Sequence, residues 1–512
     1  MCVLDSMVFL DNGLVEGNLN AYSSVRYQMS IPLQLFRMVA LGAALVVSAC
    51  AAIPDLPPPA APLPVERIAA DQTLTGTASA SWPQAGEWMG QADPQLSELV
   101  SEGIANSPDI AAVDARLRRT AALAQSVGAA RQPSLGIEAS ATLDKSSYNN
   151  GLPKAFLPLG WNDYGTLKAA LGWDLDLWGR NRAALAAARS EERAAIFEAQ
   201  QARLTLITAI TLAYSDFDRL FAEEEVRESE LEMREAGENL VARRVEAGID
   251  MRASLRHSQA QTATARAELA AAREALALRR HQIAALVGAG PDRGLALTRP
   301  MWPHPSVRPL PRDVTTNLVA RRPDIAMARE RLEAAASRVK VARTGFFPDI
   351  RLDALFGIQS LGLASLLERD STFGSAGPAL NLPLFRGSSL TGNFRSAHAS
   401  LDEAVAGYNR TVLAAYQEVA DAVTSRGGIA QRLEEARAIR TANDDAHALA
   451  LLRYDAGLTN YLEVLAAEER RLHARLAVHR LEADARASNI TLVRALGGGF
   501  VTSDTPRPAT FP

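Results

Sequence analysis

Between Gly387 and Gly497 the chain reads as one helix of unusual length, a short break at Arg453-Tyr454-Asp455-Ala456-Gly457, and a second long helix running back. Leu401, Val405, Tyr408, Val412, Tyr416, Val419 and Val423 step by three or four residues, so a single apolar stripe seeks a partner helix. No proline interrupts either arm. Gly457 offers the left-handed conformation that ends a helix and lets the chain turn. At the rise of an α-helix, Ser388 to Tyr454 spans roughly 100 Å, longer than a compact domain is wide. A hairpin of that length packs sideways into a tube or a coil.

The same hairpin stands between Gly179 and Gly288, with Arg244-Val245-Glu246-Ala247-Gly248 where Arg453 to Gly457 stand. Pro108-Asp109-Ile110 returns as Pro323-Asp324-Ile325 and Pro133 as Pro348, about 215 residues on; Gly248 and Gly288 return as Gly457 and Gly497 at about 209. The chain of 512 residues is therefore one architecture built from two similar halves, with about eight extra residues between Pro133 and Leu177 of the first.

Ahead of each hairpin the period changes from 3.6 to 2. Leu135, Ile137, Ala139, Ala141 and Leu143 alternate with Ser134, Gly136, Glu138, Ser140 and Thr142. Leu167, Ala169, Leu171, Trp173, Leu175 and Leu177 alternate with Thr166, Lys168, Gly172, Asp174 and Asp176. The second half sets Ile350, Leu352, Ala354, Phe356 and Ile358 against Arg351, Asp353, Gly357 and Gln359. Its partner sets Ala376, Pro378, Leu380, Leu382 and Leu384 against Ser375, Gly377, Asn381 and Pro383. Four strands of about ten residues match tilted strands crossing a bilayer. Trp161, Tyr164, Trp178, Phe373 and Phe385 near their ends suit interfacial girdles. The expected lumen residues are Glu138, Lys168, Asp174, Asp176, Arg351 and Asp353. Four strands leave two open edges, which hydrocarbon does not tolerate, so the sequence asks for an oligomer. Two chains give eight strands and three give twelve; a conducting pore favours three or more, because side chains fill an eight-stranded interior.

Composition narrows the partners. The net charge of −4 and the lack of a basic block with interleaved aromatics argue against nucleic acid. Cys2 and Cys50 are the only cysteines, which excludes a disulfide framework or a cysteine metal cluster. Phe36 to Ala49 is a short apolar core following Arg26 and containing Arg37, and it closes on Val47-Ser48-Ala49-Cys50; this reads as a secretory signal rather than an anchor helix. The ending resembles a bacterial lipobox, which implies cleavage before Cys50, a diacylglyceryl group on its thiol and, with Ala51 next, the outer membrane. Such a signal begins near Met29, leaving residues 1–28 as an unused upstream start. The alternative is an ordinary cleavage site beside a chance cysteine.

The domain plan is a signal over 1–49, a lipidated proline-rich tether over 50–84, and an equatorial and helical segment over 85–132. A β-hairpin over 133–178 and a helical hairpin over 179–288 complete the first half. A proline-rich connector covers 289–316, followed by a helix over 317–347, a β-hairpin over 348–386, a helical hairpin over 387–497 and an irregular tail over 498–512. The prolines of Pro54 to Pro64 leave almost no packing potential and suggest an extended tether. The connector is expected to lie against the outside of the helices.

Arg321-Arg322-Pro323-Asp324-Ile325, Phe346-Phe347-Pro348, Leu382-Pro383-Leu384-Phe385, Tyr416-Gln417-Glu418-Val419-Ala420-Asp421-Ala422, Arg453-Tyr454-Asp455-Ala456-Gly457 and Ala495-Leu496-Gly497-Gly498-Gly499 occur in that order. As a set they resemble the landmarks of the lipoprotein branch of TolC-like outer-membrane efflux channels, over roughly residues 85 to 500. The resemblance implies a homotrimer with a twelve-stranded outer-membrane barrel, a long periplasmic helical tube and a mixed equatorial belt. It further implies a periplasmic adaptor and an inner-membrane transporter of the resistance-nodulation-division class as partners. The tube tip would be held closed by links between neighbouring hairpins and narrowed by an acidic ring, which brings forward Arg243, Arg244, Gly248 and Asp250 in the first half and Arg453, Tyr454, Asp455, Gly457 and Glu463 in the second. Glu246 also lies near the first tip. Thr459 and Ala466 stand where the founding member has an arginine and a second acid.

No His-Glu-x-x-His, Gly-x-Ser-x-Gly or phosphate-binding loop is present, and His473 and His479 do not share a helical face. Neither an enzyme nor a resident cofactor or metal is expected. The leading expectation is a passive export duct for drugs or other small toxic molecules. The alternatives are a duct for protein or glycolipid secretion and a lipid-tethered periplasmic coiled coil that conducts nothing.

Overall fold

The computed structural model describes residues 53–64, 67–74, 81–83, 93–149, 151, 153–302, 310–311, 314–382 and 386–501. The signal segment, Cys50, Leu384, Phe385 and residues 502–512 lie outside the described residues. In order, the main elements are α1 (Pro94–Asn106), α2 (Pro108–Ala129), β1 (Ser134–Asp144), β2 (Asn162–Asp174), α3 (Arg180–Glu246), α4 (Arg252–Leu286), α5 (Pro323–Thr344), β3 (Asp349–Leu361), β4 (Thr372–Asn381), α6 (Gly387–Asp455) and α7 (Tyr461–Ala495). No described helix is long and apolar enough to cross a membrane.

Local chemistry sets the helix ends. Asp93 caps α1, its carboxylate accepting from the Gln95 N–H at 3.0 Å, and Pro94 fills the first turn where no donor is needed. At the first tip, Gly248 has φ +67° and donates to the Val245 carbonyl while Ile249 donates to that of Arg244. At the second, Gly457 has φ +70°, with the same bonds from Gly457 to Tyr454 and from Leu458 to Arg453. Both are Schellman endings, in which a left-handed residue turns the last helical carbonyls back on the chain.

The arms of each hairpin are unequal. α3 has 67 residues and α6 has 69, whereas α4 and α7 have 35 each. A return helix therefore covers only the tip-ward half of its long partner. Shorter helices complete the rest. Arg203 pairs with Asp114 of α2 at 3.2 Å, and α5 meets α3 through Arg193–Glu330 and Arg338–Glu191, both 2.8 Å.

The two largest buried clusters lie where the shorter elements meet the long helices. Leu96, Leu99 and Val100 of α1 pack on Ile210, Tyr214 and Phe217 of α3 and on Leu276 and Ile283 of α4, with Leu297 and Trp302 of the connector closing over them. In the second core, Val412, Tyr416 and Val419 of α6 and Leu492 of α7 meet Leu310, Val314, Leu318 and Ile325. Leu74, from the segment after the proline run, enters this second core.

The proline-rich stretch has more hold than its composition suggests. It runs along α6, donating the Ala60 N–H to Asp402 at 2.9 Å and the Leu63 N–H to Asn409 at 2.7 Å. Those acceptors sit seven residues apart, two helical turns on one face. Prolines hold a backbone extended without needing sheet partners, which is what lets it lie beside a helix.

Candidate functional site

The first candidate surface is the sheet. Its order is β1-β2-β3-β4, all antiparallel, leaving β1 and β4 as edges. Register carries one apolar row across all four strands: Leu135 opposes Leu171, which opposes Ala354, which opposes Ala376. The next row is Ile137, Ala169, Phe356 and Gly374. This face is open, with Leu135 71%, Ile137 76% and Leu380 64% exposed. In a soluble sheet such a face would be buried; here most of it stays open.

The alternate face gathers the polar residues. Glu138 stands opposite Lys168 and their side chains pair at 3.0 Å. Arg351 and Asp353 lie 3.6 Å apart beside Gly172, in a hollow also lined by Ser134 and Ser375. Of the expected lumen residues, Glu138 with Lys168 and Arg351 with Asp353 thus form two pairs on this face. Asp174 and Asp176 make contacts of another kind. Asp174 ends β2 and accepts from the Asn181 amide at 2.9 Å, and Asp176, beyond the strand, accepts from the Asn181 and Arg182 N–H groups at 2.8 and 3.0 Å. Together they fasten the strand to the first turn of α3, where carboxylates suit the helix dipole. Alternation in sequence could not reveal this, because the strand ends two residues before Asp176.

The second candidate surface is the pair of tips. In the first, Arg244 pairs with Asp250 at 3.6 Å, and the Arg243 guanidinium donates to the Asn239 carbonyl at 3.3 Å. The Ser254 hydroxyl, then the Met251 N–H, hold the Asp250 carboxyl below the usual carboxylate range. In the second, the Tyr454 ring lies 5.2 Å from that of Tyr461. Glu463 receives the Thr459 hydroxyl at 2.5 Å, and its N–H is capped by Asn460. Arg453 gives its carbonyl to the Schellman turn, and Asp455 closes α6. Among the described residues, no hydrogen bond or ion pair joins one tip to the other.

The two hairpins are joined higher up, by residues outside the expected site. Arg234 of α3 meets Glu469 of α7 at 2.6 Å, just above Gly237, whose missing side chain leaves room for Leu465. Arg480 meets Glu223 and Arg486 meets Asp218, both at 2.8 Å. Burial outweighs the pull of Arg486 and holds the Asp218 carboxyl above its ordinary value. Each belongs to one of many Arg/Glu-rich turns, so sequence carried no signal for the partner.

Two further fastenings secure the belt. The buried Tyr214 hydroxyl donates to Asp93 at 2.7 Å, and burial together with that carboxylate pushes its pKa well up. Arg322, 4% exposed, reaches the Ala495 carbonyl at 2.8 Å, Asp324 at 2.6 Å and Glu418 at 3.0 Å. Burial opposes its charge, but the two carboxylates outweigh that and hold the guanidinium above its usual value.

The geometry matches known proteins. The toluene efflux pump outer membrane protein TtgF of Pseudomonas putida is 28% identical over 90% of this chain and 96% of its own length. The multidrug resistance outer membrane protein MdtP of Escherichia coli is 27% identical over 90% and 95%. Among solved structures, the outer membrane protein VceC of Vibrio cholerae superposes with a TM-score of 0.75 at 39% identity, covering 82% of this chain and 100% of that one. The fold is thus a TolC-like outer-membrane channel fold with a four-stranded sheet in each chain. The model of the outer membrane efflux protein family matches residues 99–289 and 314–498, interrupted only across the connector, and the chain belongs to that family.

Proposed function

We infer that this protein is the outer-membrane exit duct of an efflux system, a passive conduit for small toxic molecules that an inner-membrane pump of the resistance-nodulation-division class and a periplasmic adaptor deliver. The observation that carries this reading is the sheet: an exposed apolar face running unbroken across four strands, a polar face behind it, and two unpaired edges. Hydrocarbon accepts such a sheet only when other chains close its edges. Three copies of a chain built from two similar halves give twelve strands around a water-filled lumen, with Glu138, Lys168, Arg351 and Asp353 facing inward. Lipid on Cys50 adds a second hold on the outer membrane.

Relatives named for toluene efflux and multidrug resistance support small molecules as cargo. The tips, with Arg243, Arg244, Gly248 and Asp250 in one and Arg453, Tyr454, Asp455, Gly457 and Glu463 in the other, form the periplasmic gate. Three-fold symmetry turns Glu463 into an acidic ring, and like charges in a narrow opening are offset by cations. The test is purification followed by planar-bilayer recording. The expected result is a heat-resistant trimer in detergent that conducts ions with cation preference, and a preference weakened by Glu463→Gln. A monomer without conductance would point to the tethered coiled coil; anion preference unchanged in Glu463→Gln would remove the acidic ring.

A further inference from the structure

The turn between β3 and β4, at the end of the sheet away from the helices, is built inside out. Its polar side chains face one another: the Ser360 and Ser365 hydroxyls lie 2.6 Å apart, and the Ser371 hydroxyl donates to the Ser365 carbonyl at 2.7 Å. Asp163 of β2 takes the Gly362 N–H on its carbonyl and the Leu363 N–H on its carboxylate, both at 2.7 Å. The N–H groups of Ser365, Leu366, Glu368 and Ser371 are also paired within the turn. Its leucines point the other way. Leu367 is 87% exposed, and Leu363 and Leu366 press on Gly165, where any Cβ would meet the Leu363 side chain at 2.7 Å.

Gly165 fixes the side. It alternates in step with Leu167, Ala169 and Leu171, so the leucines lie on the open apolar face of the sheet, continuous with it. Trp161, immediately before β2 and 66% exposed, falls in step with them. A turn in water gains nothing from presenting leucines while its serines bond one another; a turn in hydrocarbon needs both. Glu368, Arg369 and Asp370, all exposed, follow Leu367 directly, which puts the boundary with the headgroups just past it.

We propose that this turn is seated in lipid, with Leu363, Leu366 and Leu367 against the acyl chains of the leaflet farthest from the helices, so that the lipid-contacting surface continues past the ends of the strands. The inference rests on the membrane-embedded sheet proposed above. It also sets a depth stop: the leucines hold the turn in the acyl region and the charged trio holds it at the surface.

The experiment places a nitroxide at Leu367→Cys or Leu363→Cys in the full-length protein reconstituted in phospholipid vesicles. The labelled sites are compared with Ile137→Cys on the sheet face and Asn149→Cys in the β1–β2 connection, and unsubstituted protein serves as the labelling background. Collision with oxygen, which concentrates in lipid, is measured against collision with a water-soluble nickel chelate. The expected result is oxygen dominance at Leu367 and Leu363 as at Ile137, reversed relative to Asn149. Nickel dominance at Leu367 with oxygen dominance at Ile137 overturns the seated turn and leaves the embedded sheet standing. Nickel dominance at Ile137 removes the embedded sheet itself. A Leu367 label shielded from both reagents is covered by protein, which also overturns the proposal.

Discussion

The two long helices are near equals in length and in their glycine endings, yet they live in different surroundings. α3 buries side chains down to Val241, close to its tip, because α4 lies on one side of it and α7 on another. The last buried residue of α6 is Ala436, and beyond it Ile439, Leu449 and Leu452 stand exposed. α7 lies along the tip-ward half of α6 as well, through Arg437–Glu482 and His447–Glu468, but among the described residues of one chain α6 has no second neighbour there. The residues it leaves open are what a second copy would cover in the proposed trimer.

The sharpest way to break this contrast is to remove one large side chain from each helix. Phe217→Ala empties a fully buried site and should cost about 3–5 kcal/mol, lowering Tm in detergent whether or not the chains assemble. Ile439→Ala should leave the single chain untouched and instead lower the temperature at which the trimer dissociates on an unheated gel. Equal effects of the two on chain unfolding would erase the distinction.

Next in size is Arg322→Ala, which removes the buried cation shared by Asp324, Glu418 and the Ala495 carbonyl and leaves Glu418 only Arg494 at 3.5 Å. A loss of about 3 kcal/mol is expected, read as denaturant midpoint. The comparable change at the exposed Arg338, paired with Glu191, should cost less than about 1 kcal/mol.

Gly457→Ala tests the tips. No atom crowds the site, so only the left-handed backbone is penalised, by about 1–2 kcal/mol confined to local fraying. Hydrogen exchange should rise around Arg453 and Leu458 and stay unchanged in the belt. Gly248→Ala should match it, since the two endings carry the same bonds.

The smallest effect concerns pH at the joint between the hairpins. Burial lowers the pKa of His479 below its usual 6.5, with Glu482, Arg475, Asp218 and Arg299 around it. The unfolded chain then takes up the proton first, so stability is lost as pH falls through 6.5 toward the folded value. Asp218, raised by burial, works with the opposite sign, its contribution falling as pH rises. His479→Gln should flatten the loss of Tm on mild acidification, and Asp218→Asn should steepen it.

Much of this was legible beforehand because it is local physics. Alternation from Leu135 to Leu143 dictates two faces whatever the strand pairs with, and Gly248 and Gly457 end helices by backbone freedom alone. Alternation runs on through Asp176 and Leu177, whereas β2 ends at Asp174, because alternation says nothing about where a strand stops. Composition gives the proline run little packing potential because it shows a lack of apolar anchors, whereas the hold comes from backbone donors to Asp402 and Asn409, hundreds of residues away.

The sequence by itself determined the long helices, the turns that end them and the two-faced strands, since each depends on residues within a few turns of one another. Only the tertiary structure decided which arginine meets which carboxylate, which half of a long helix is covered by its own return arm, and which stripe is left open. Arg and Glu recur on almost every turn here, so their pairing is degenerate in sequence and is chosen by the geometry that brings distant helices side by side.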